Sequence, residues 1–531
     1  MKGNLKLSCV LNEMKTNDVN YIEVYGKSGY SKKKFSEVYV DVLKTLVYLR
    51  SIGAKKGSRI GIIGINSYEY LLLDLTAAVG GFVSVPFPEK NYGNRVDELK
   101  TEFDLAVLFS DENYITDVNK GDIIGISSLM GLIENADIKQ VEFEELEEED
   151  IFTIIFTSGT TGRPKGIGVR VKCVEDWMEN LVDSFEFTED DKIIDFFSLS
   201  ISNARLFVYA SILIHFNLTL TNTDQLLRVL ALAKPTIMQG VPYLFETFYM
   251  SYMAMLKQSF KKRFSYDLYN VLSKVLSANM IQGLGQKVYK GLHNMLGGNM
   301  RILVTGSAPM RKSVLKQYER AGLRIYEAYG INEVGLVSMN NPKAYKEGSV
   351  GRPYASKIIK IGPDKEILIK SDYNWGTSYI NDTNNAGKGT FTEDGYVATG
   401  DMGYIDDDGF LFIEGRLKEV LVLSNGDKIH PSVIEDDLMS TKLFKQVVAV
   451  GDKKPFISCI LVLENSNTPQ ERLAEAIKEI NKGYSKEFKI KDYIIADGPF
   501  TVENGLMNST LKINRNKVCE AYKTKLNKIY E

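Results

Sequence analysis

Cysteine and histidine are both scarce in this 531-residue chain, which has four of the first and three of the second. Cys9, Cys173, Cys459 and Cys519 lie far apart with no CxxC spacing. That argues against a zinc site or a disulfide framework and fits a reducing compartment. The histidines are isolated as well: His215 in an apolar run, His293 in a helical stretch and His430 beside Pro431. None is an obvious general base. No uninterrupted apolar run reaches the roughly 18 residues of a membrane span, and residues 1–12 hold no apolar region of signal-peptide length. A net charge of −3 gives no electrostatic case for nucleic acid or for an anionic membrane surface. The chain is expected to be cytoplasmic, with at most peripheral membrane contact.

What is present is an ordinary globular composition, 44% hydrophobic and 25% charged, on a length that predicts three or more structural units. Residues 35–52 place Phe35, Val38, Val42, Leu46 and Leu49 on one helical face. Strand-like runs at 60–65, 82–85, 105–109, 123–126 and 192–195 alternate with helical runs at 68–79, 174–185 and up to residue 214. This alternation predicts parallel βαβ units with helices on both sheet faces. Residues 243–300, rich in Tyr, Met, Leu, Lys and Phe, read as helices, and 301–305 and 323–327 as strands. Beyond residue 415, short strands (447–450, 457–463) mix with amphipathic helices (432–439, 469–480), which suits a small α+β domain.

The chain is organised around residues 154–166, an apolar β-branched run that passes into a loop of three glycines, three hydroxyls and two cations. Glycines admit backbone N–H groups close to an anion, Ser158, Thr160 and Thr161 add neutral donors, and Lys165 supplies a point charge suited to phosphate. The spacing is not that of a Walker A loop.

Thr157-Ser158-Gly159-Thr160-Thr161-Gly162-Arg163-Pro164-Lys165-Gly166 resembles the phosphate-binding signature of the adenylate-forming superfamily of acyl-CoA synthetases, adenylation domains and luciferases. Four more segments carry the resemblance in order: Gly306-Ser307-Ala308, Tyr329-Gly330-Ile331-Asn332-Glu333, Thr399-Gly400-Asp401 with Arg416, and Thr510-Leu511-Lys512 with Arg515. Residues 283–299 and the closing motif are most similar to long-chain fatty acyl-CoA synthetases.

The resemblance implies an α/β fold: a large N-terminal domain (1–415) of doubly wound sheets in five layers, and a small mobile α+β domain (416–531) hinged near Lys418. It also implies an AMP-forming acid–thiol ligase that uses ATP and Mg²⁺, with CoA or a carrier-protein pantetheine as acceptor and a small carboxylic acid as substrate. Lys512, Glu333 and Lys165 take catalytic roles, and Glu333 and Thr160 hold the metal. Thr157, Ser158, Gly159, Thr160, Thr161, Gly306, Ser307, Ala308, Tyr329, Gly330, Asn332, Asp401 and Arg416 contact the nucleotide. In particular, Tyr329 stacks on adenine and Asp401 accepts both ribose hydroxyls.

Ile201, Asn203 and Arg205 fall where the family's acyl and phosphate pocket is lined. Ile201 stands for its His and Asn203 for its Phe, and Asn332 replaces a Thr. Ser202 stands near an Asp that amino-acid-activating relatives use for the substrate amine, which points away from an α-amino acid. The three departures also motivate a third reading, a degenerate nucleotide-binding homologue.

Overall fold

Alternate residues of the central strands serve different cores, and that alternation sets the layering. Ile60, Ile62, Phe152 and Ile155 join Ile22, Val24 and Ile193 in one buried cluster. Ile63, Ile154 and Phe156 face a second cluster, and Ile194 a third. The computed structural model describes residues 5–26, 29–116, 122–139, 141–157, 165–273, 284–380, 382, 387–508 and 512–531.

Two large sheets result. A six-stranded sheet runs in the order Ile123–Gly125, Leu105–Ser110, Arg59–Ile63, Val83–Phe87, Ile151–Thr157 and Lys165–Arg170, parallel except for the last pair. A nine-stranded sheet has a parallel centre that includes Tyr21–Gly26, Asn217–Leu220, Lys192–Asp195, Ile237–Gly240, Ile302–Thr305 and Ile325–Ile331, with antiparallel strands at its edges. Helices Tyr68–Val79 and Ser202–Ile214 share the cluster between the sheets and are buried almost all round. Such helices belong in a core. Helix Val96–Glu102 covers the outer face of the first sheet and helix Pro242–Lys257 that of the second. This is the five-layer α/β arrangement expected of the sequence.

The helices between the sheets carry an ion pair. Arg205, 1% exposed, meets Asp74 at 2.9 Å. The Tyr209 hydroxyl donates to the same carboxylate at 2.7 Å, and Arg205 also reaches the Ser84 hydroxyl at 3.2 Å. This corrects the assignment of Arg205 to the acyl pocket: the side chain points into the core, where Asp74 answers its charge. Ile201 and Asn203 are half-buried at the start of the same helix, with Ile201 packed on the cluster outside the nine-stranded sheet.

A four-stranded antiparallel sheet (Ile358–Ile361, Glu366–Lys370, Val397–Ile405, Leu411–Arg416) precedes the C-terminal elements. Those are built on Phe444–Val450, Ile457–Leu463 and Ile490–Ile495. Helices Pro431–Ser440 and Gln470–Ile480 pack on one face of this sheet and helix Arg515–Ala521 on the other. Tyr243, from helix Pro242–Lys257, packs against the second of these faces, and Arg311 Nη1 donates to the Met439 carbonyl at 3.4 Å. The four cysteines are free, and no helix among the described residues is long and apolar enough to cross a membrane.

The buried pair yields a stability prediction. Asp74→Ala strands the Arg205 guanidinium and is expected to cost about 3–5 kcal/mol of unfolding free energy. Urea denaturation measures the loss, and a cost below about 1 kcal/mol would show that the pair does not carry the inner layer.

Candidate functional site

The expected phosphate loop leaves strand Ile151–Thr157 and returns at Lys165. Ser158, Gly159, Thr160 and Thr161 lie outside the described residues. Thr157 and Lys165 face each other in antiparallel register. The next residue, Gly166, accepts a hydrogen bond from the Ile380 N–H at 2.7 Å, docking residues 379–380 against the strand. Lys165 Nζ lies 4.6 Å from the centre of the Tyr379 ring, and the Tyr379 hydroxyl donates to Glu333 Oε1 at 2.7 Å. Burial, then the Glu333 charge, push the Tyr379 phenol well above its usual range, so it remains a donor. Lys165, Tyr379 and Glu333 are thus in one line. Tyr379 was not found from sequence: it sits in a turn-rich stretch 46 residues from Glu333, and no motif marks it.

Asn332 Nδ2 donates to the Phe156 carbonyl at 3.3 Å. The amide expected to face a phosphate therefore ties the turn before Glu333 to the strand leading into the loop. The strand here is also longer than the sequence reading had it. It runs Ile325–Ile331 rather than stopping at 327, because its far half pairs antiparallel with Gly335–Met339 across an irregularity between Tyr329 and Gly330. Tyr329 and Gly330 are therefore strand residues.

At the carboxyl ends of the parallel strands, where ligands of doubly wound sheets bind, Thr305 and Glu327 are register partners. Each keeps a buried oxygen, Thr305 Oγ1 and Glu327 Oε2, without a hydrogen-bond partner in the protein. Burial raises the Glu327 carboxyl to about 7. Between these strands lies the loop Gly306-Ser307-Ala308, with Ser307 at φ 69°, a left-handed conformation that a serine adopts at a cost. A side chain at Gly306 would put its Cβ 3.3 Å from the Ala328 carbonyl, so the loop lies close against the neighbouring strand there. Strain and unmet polar atoms together mark a built crevice.

Asp401, on strand Val397–Ile405, pairs in register with Arg416. Its carboxylate, almost wholly buried, takes a hydrogen bond from the Tyr329 hydroxyl at 2.8 Å and an ion pair from Arg416 Nε at 2.9 Å. Burial, with the Asp401 charge, keeps the Tyr329 phenol protonated. Lys512 is half-buried close to this group. Burial holds its ammonium below the ordinary lysine value; Glu419 and Asp401 pull upward, while Arg416 and Arg515 push the same way as burial. Arg515 is anchored by two contacts with Glu435, at 2.6 and 3.1 Å.

Lys418 is exposed in the single turn Leu417–Glu419 that follows strand Leu411–Arg416. The His430 ring packs on Gly415, 2.6 Å from where a Cβ would stand. Among the described residues no three His, Cys, Asp or Glu cluster as a metal cage. Glu333 is a hard oxygen ligand of the kind that Mg²⁺ takes when phosphates supply the rest.

Residues 13–371 match the model of the AMP-binding enzyme family, and residues 418–531 that of the AMP-binding enzyme C-terminal domain. The chain belongs to this family of adenylate-forming enzymes. It is 28% identical to the long-chain-fatty-acid–CoA ligase FadD15 of Mycobacterium bovis, over 91% of this chain and 89% of that one. To the mouse long-chain-fatty-acid–CoA ligase 5 it is 26% identical, over 93% and 84%. The structure of ATP-bound MatB from Rhodopseudomonas palustris superposes with a TM-score of 0.78 at 20% identity, covering 99% of this chain and 100% of that one. That match bears out the fold.

Glu327 makes the site pH-sensitive. The native state holds its proton up to about 7, whereas the free acid loses it near 4.5. Stability is therefore lost as pH rises from 4.5 and the full penalty stands above 7. Glu327→Gln should remove that slope, gaining about 2–3 kcal/mol on wild type between about pH 4 and about pH 8. Urea titrations at both pH values measure it, and parallel pH profiles would refute it.

Proposed function

We propose that the protein activates a carboxylic acid of fatty acyl type with Mg·ATP and passes the acyl group to the thiol of CoA. The observation that carries this reading is the convergence of Asp401, Tyr329, Arg416 and Lys512 beside a strained strand-end crevice. In the first step a carboxylate oxygen attacks the α-phosphorus of ATP and the bond to pyrophosphate breaks, giving an acyl-adenylate. In the second the thiol sulfur attacks the acyl carbon, AMP leaves, and the thiol proton passes to solvent. No side-chain base is required for a nucleophile with pKa near ~8.5.

Each residue has a part. Asp401 accepts the ribose hydroxyls, oriented by Tyr329 and Arg416. Lys165, with residues 157–161, binds phosphate oxygens. Glu333 holds Mg²⁺, whose charge neutralises that of the phosphates. Tyr379 fixes the carboxylate of Glu333 and the ring beneath Lys165. Lys512 stabilises charge on the transferring phosphate, where electrostatic catalysis gains most. Residues 416–531 form the lid, turning about Lys418 between the two steps. The exposure of Lys418 in the single turn Leu417–Glu419 supports that hinge. Ile201 and Asn203 border the acyl site at the start of their helix.

Carboxylate-dependent ATP–pyrophosphate exchange over fatty, aryl and amino acids tests the reading. The expected outcome is a maximum at one fatty-acid length, and silence throughout would refute activation. Free CoA against a holo carrier protein then decides the acceptor.

Two variants test the roles. Lys512→Ala should slow adenylation about 100-fold or more while sparing thiol transfer from preformed acyl-AMP. Equal loss of both steps would rule out a lid lysine that serves one of them. Tyr379→Phe should raise the Mg²⁺ concentration for half-maximal exchange about tenfold with the maximal rate little changed. An unaltered Mg²⁺ requirement would reduce Tyr379 to packing.

A further inference from the structure

Asn66 stands where the carboxyl ends of the two large sheets meet. It follows strand Arg59–Ile63 of the six-stranded sheet and precedes Ser67, whose hydroxyl accepts the Tyr70 N–H and caps helix Tyr68–Val79. Asn66 is 1% exposed, and its side chain bonds to the nine-stranded sheet and the chain leaving it. Nδ2 donates to the Phe197 and Thr221 carbonyls, each at 2.8 Å, and Oδ1 accepts the Leu199 N–H at 2.9 Å. Phe197 and Thr221 follow strands Lys192–Asp195 and Asn217–Leu220. Asn222 closes the seam by pairing both ways with the Asn66 backbone. Its Oδ1 accepts the Asn66 N–H at 3.1 Å, and its Nδ2 donates to the Asn66 carbonyl at 3.2 Å.

Two carbonyls and one N–H converge on this side chain, and a primary amide offers the two donors and the acceptor that they need. An aspartate would set oxygens against two carbonyls, and an alanine would withdraw three buried hydrogen bonds at once. Joining the strand ends requires only the two carbonyl contacts. The third, to Leu199, acts further along the chain. The segment after strand Lys192–Asp195 changes layers twice: Phe197 packs in the cluster outside the nine-stranded sheet, Leu199 in the cluster between the sheets, and Ile201 on the outer cluster again. Asn66 grips this segment on both sides of Ser198. From there a tight turn runs to the next helix. The Ile201 N–H donates to the Ser198 carbonyl at 2.8 Å, and the Ser198 and Ser200 hydroxyls bond each other at 2.8 Å. Ile201 immediately precedes helix Ser202–Ile214, so the pinned turn fixes where Ile201 and Asn203 stand.

We propose that Asn66 is a positioning residue of the acyl site. By holding the Phe197 carbonyl and the Leu199 N–H it sets the turn 198–201, and through that turn it places Ile201 and Asn203 against the acid without touching the acid itself. The role rests on the reading that Ile201 and Asn203 border the acyl site. It makes acid binding depend on a contact that the six-stranded sheet supplies to a border belonging to the nine-stranded sheet.

Steady-state kinetics of the full chain, with the acid that the wild type activates best, test this. Asn66→Ala should raise KM for the acid about tenfold or more, with KM for ATP unchanged. A purely structural role would reduce the amount of folded enzyme, lowering kcat and moving neither KM. Asn222→Ala loosens the same seam but leaves the Leu199 bond in place, so it should lower the melting temperature with the acid KM unaltered. Should Asn66→Ala not fold, Ser198→Ala, at a half-buried position of the turn, should raise the acid KM about threefold while sparing that of ATP. An acid KM that stays at the wild-type value in Asn66→Ala or Ser198→Ala would overturn the proposal. So would an Asn222→Ala variant that shifts the acid KM as far as Asn66→Ala does, since any weakening of the seam would then suffice. Wild-type protein that exchanges pyrophosphate with no acid would refute acid activation itself, and this role with it.

Discussion

A buried carboxylate needs partners, and Asp401 draws its partners from three parts of the molecule. Tyr329 comes from the nine-stranded sheet, Arg416 from the neighbouring strand of the four-stranded sheet, and Lys512 approaches from the C-terminal elements. Losing every partner would leave an uncompensated charge in a low-dielectric pocket, which is expensive. Two of the three lie on strands that precede the proposed hinge at Lys418. Lys512 is the exception. On the proposed mechanism it can withdraw while Tyr329 and Arg416 continue to hold Asp401, so the nucleotide end of the site keeps its shape through both steps.

The crevice beside this group stores unfavourable features together: a serine at positive φ, a protonatable glutamate and two buried oxygens without protein partners. Strain and unmet polar atoms persist only where the surroundings over-determine them. Here the surroundings are two large sheets and the all-round buried helices between them, whose stability rests on thorough apolar burial. The five-layer core therefore supplies the rigidity that lets a few strand-end residues remain poised for a polar ligand.

Much of this was legible in the sequence, and what was not has physical reasons. Alternating apolar runs gave the parallel βαβ units because strand and helix periodicities are local. The glycine and hydroxyl motifs gave the order of the site loops. Arg205 was misplaced because a cation beside a motif looks the same in sequence whether it faces a ligand or a distant aspartate; Asp74 lies 131 residues away. The strand ending at Ile331 was cut short because Gly330 reads as a turn, and only pairing with Gly335–Met339 carries the strand through it. Tyr379 was missed for a related reason. Its value lies in touching Lys165 and Glu333 at once, a property of the fold and not of its neighbours in the chain.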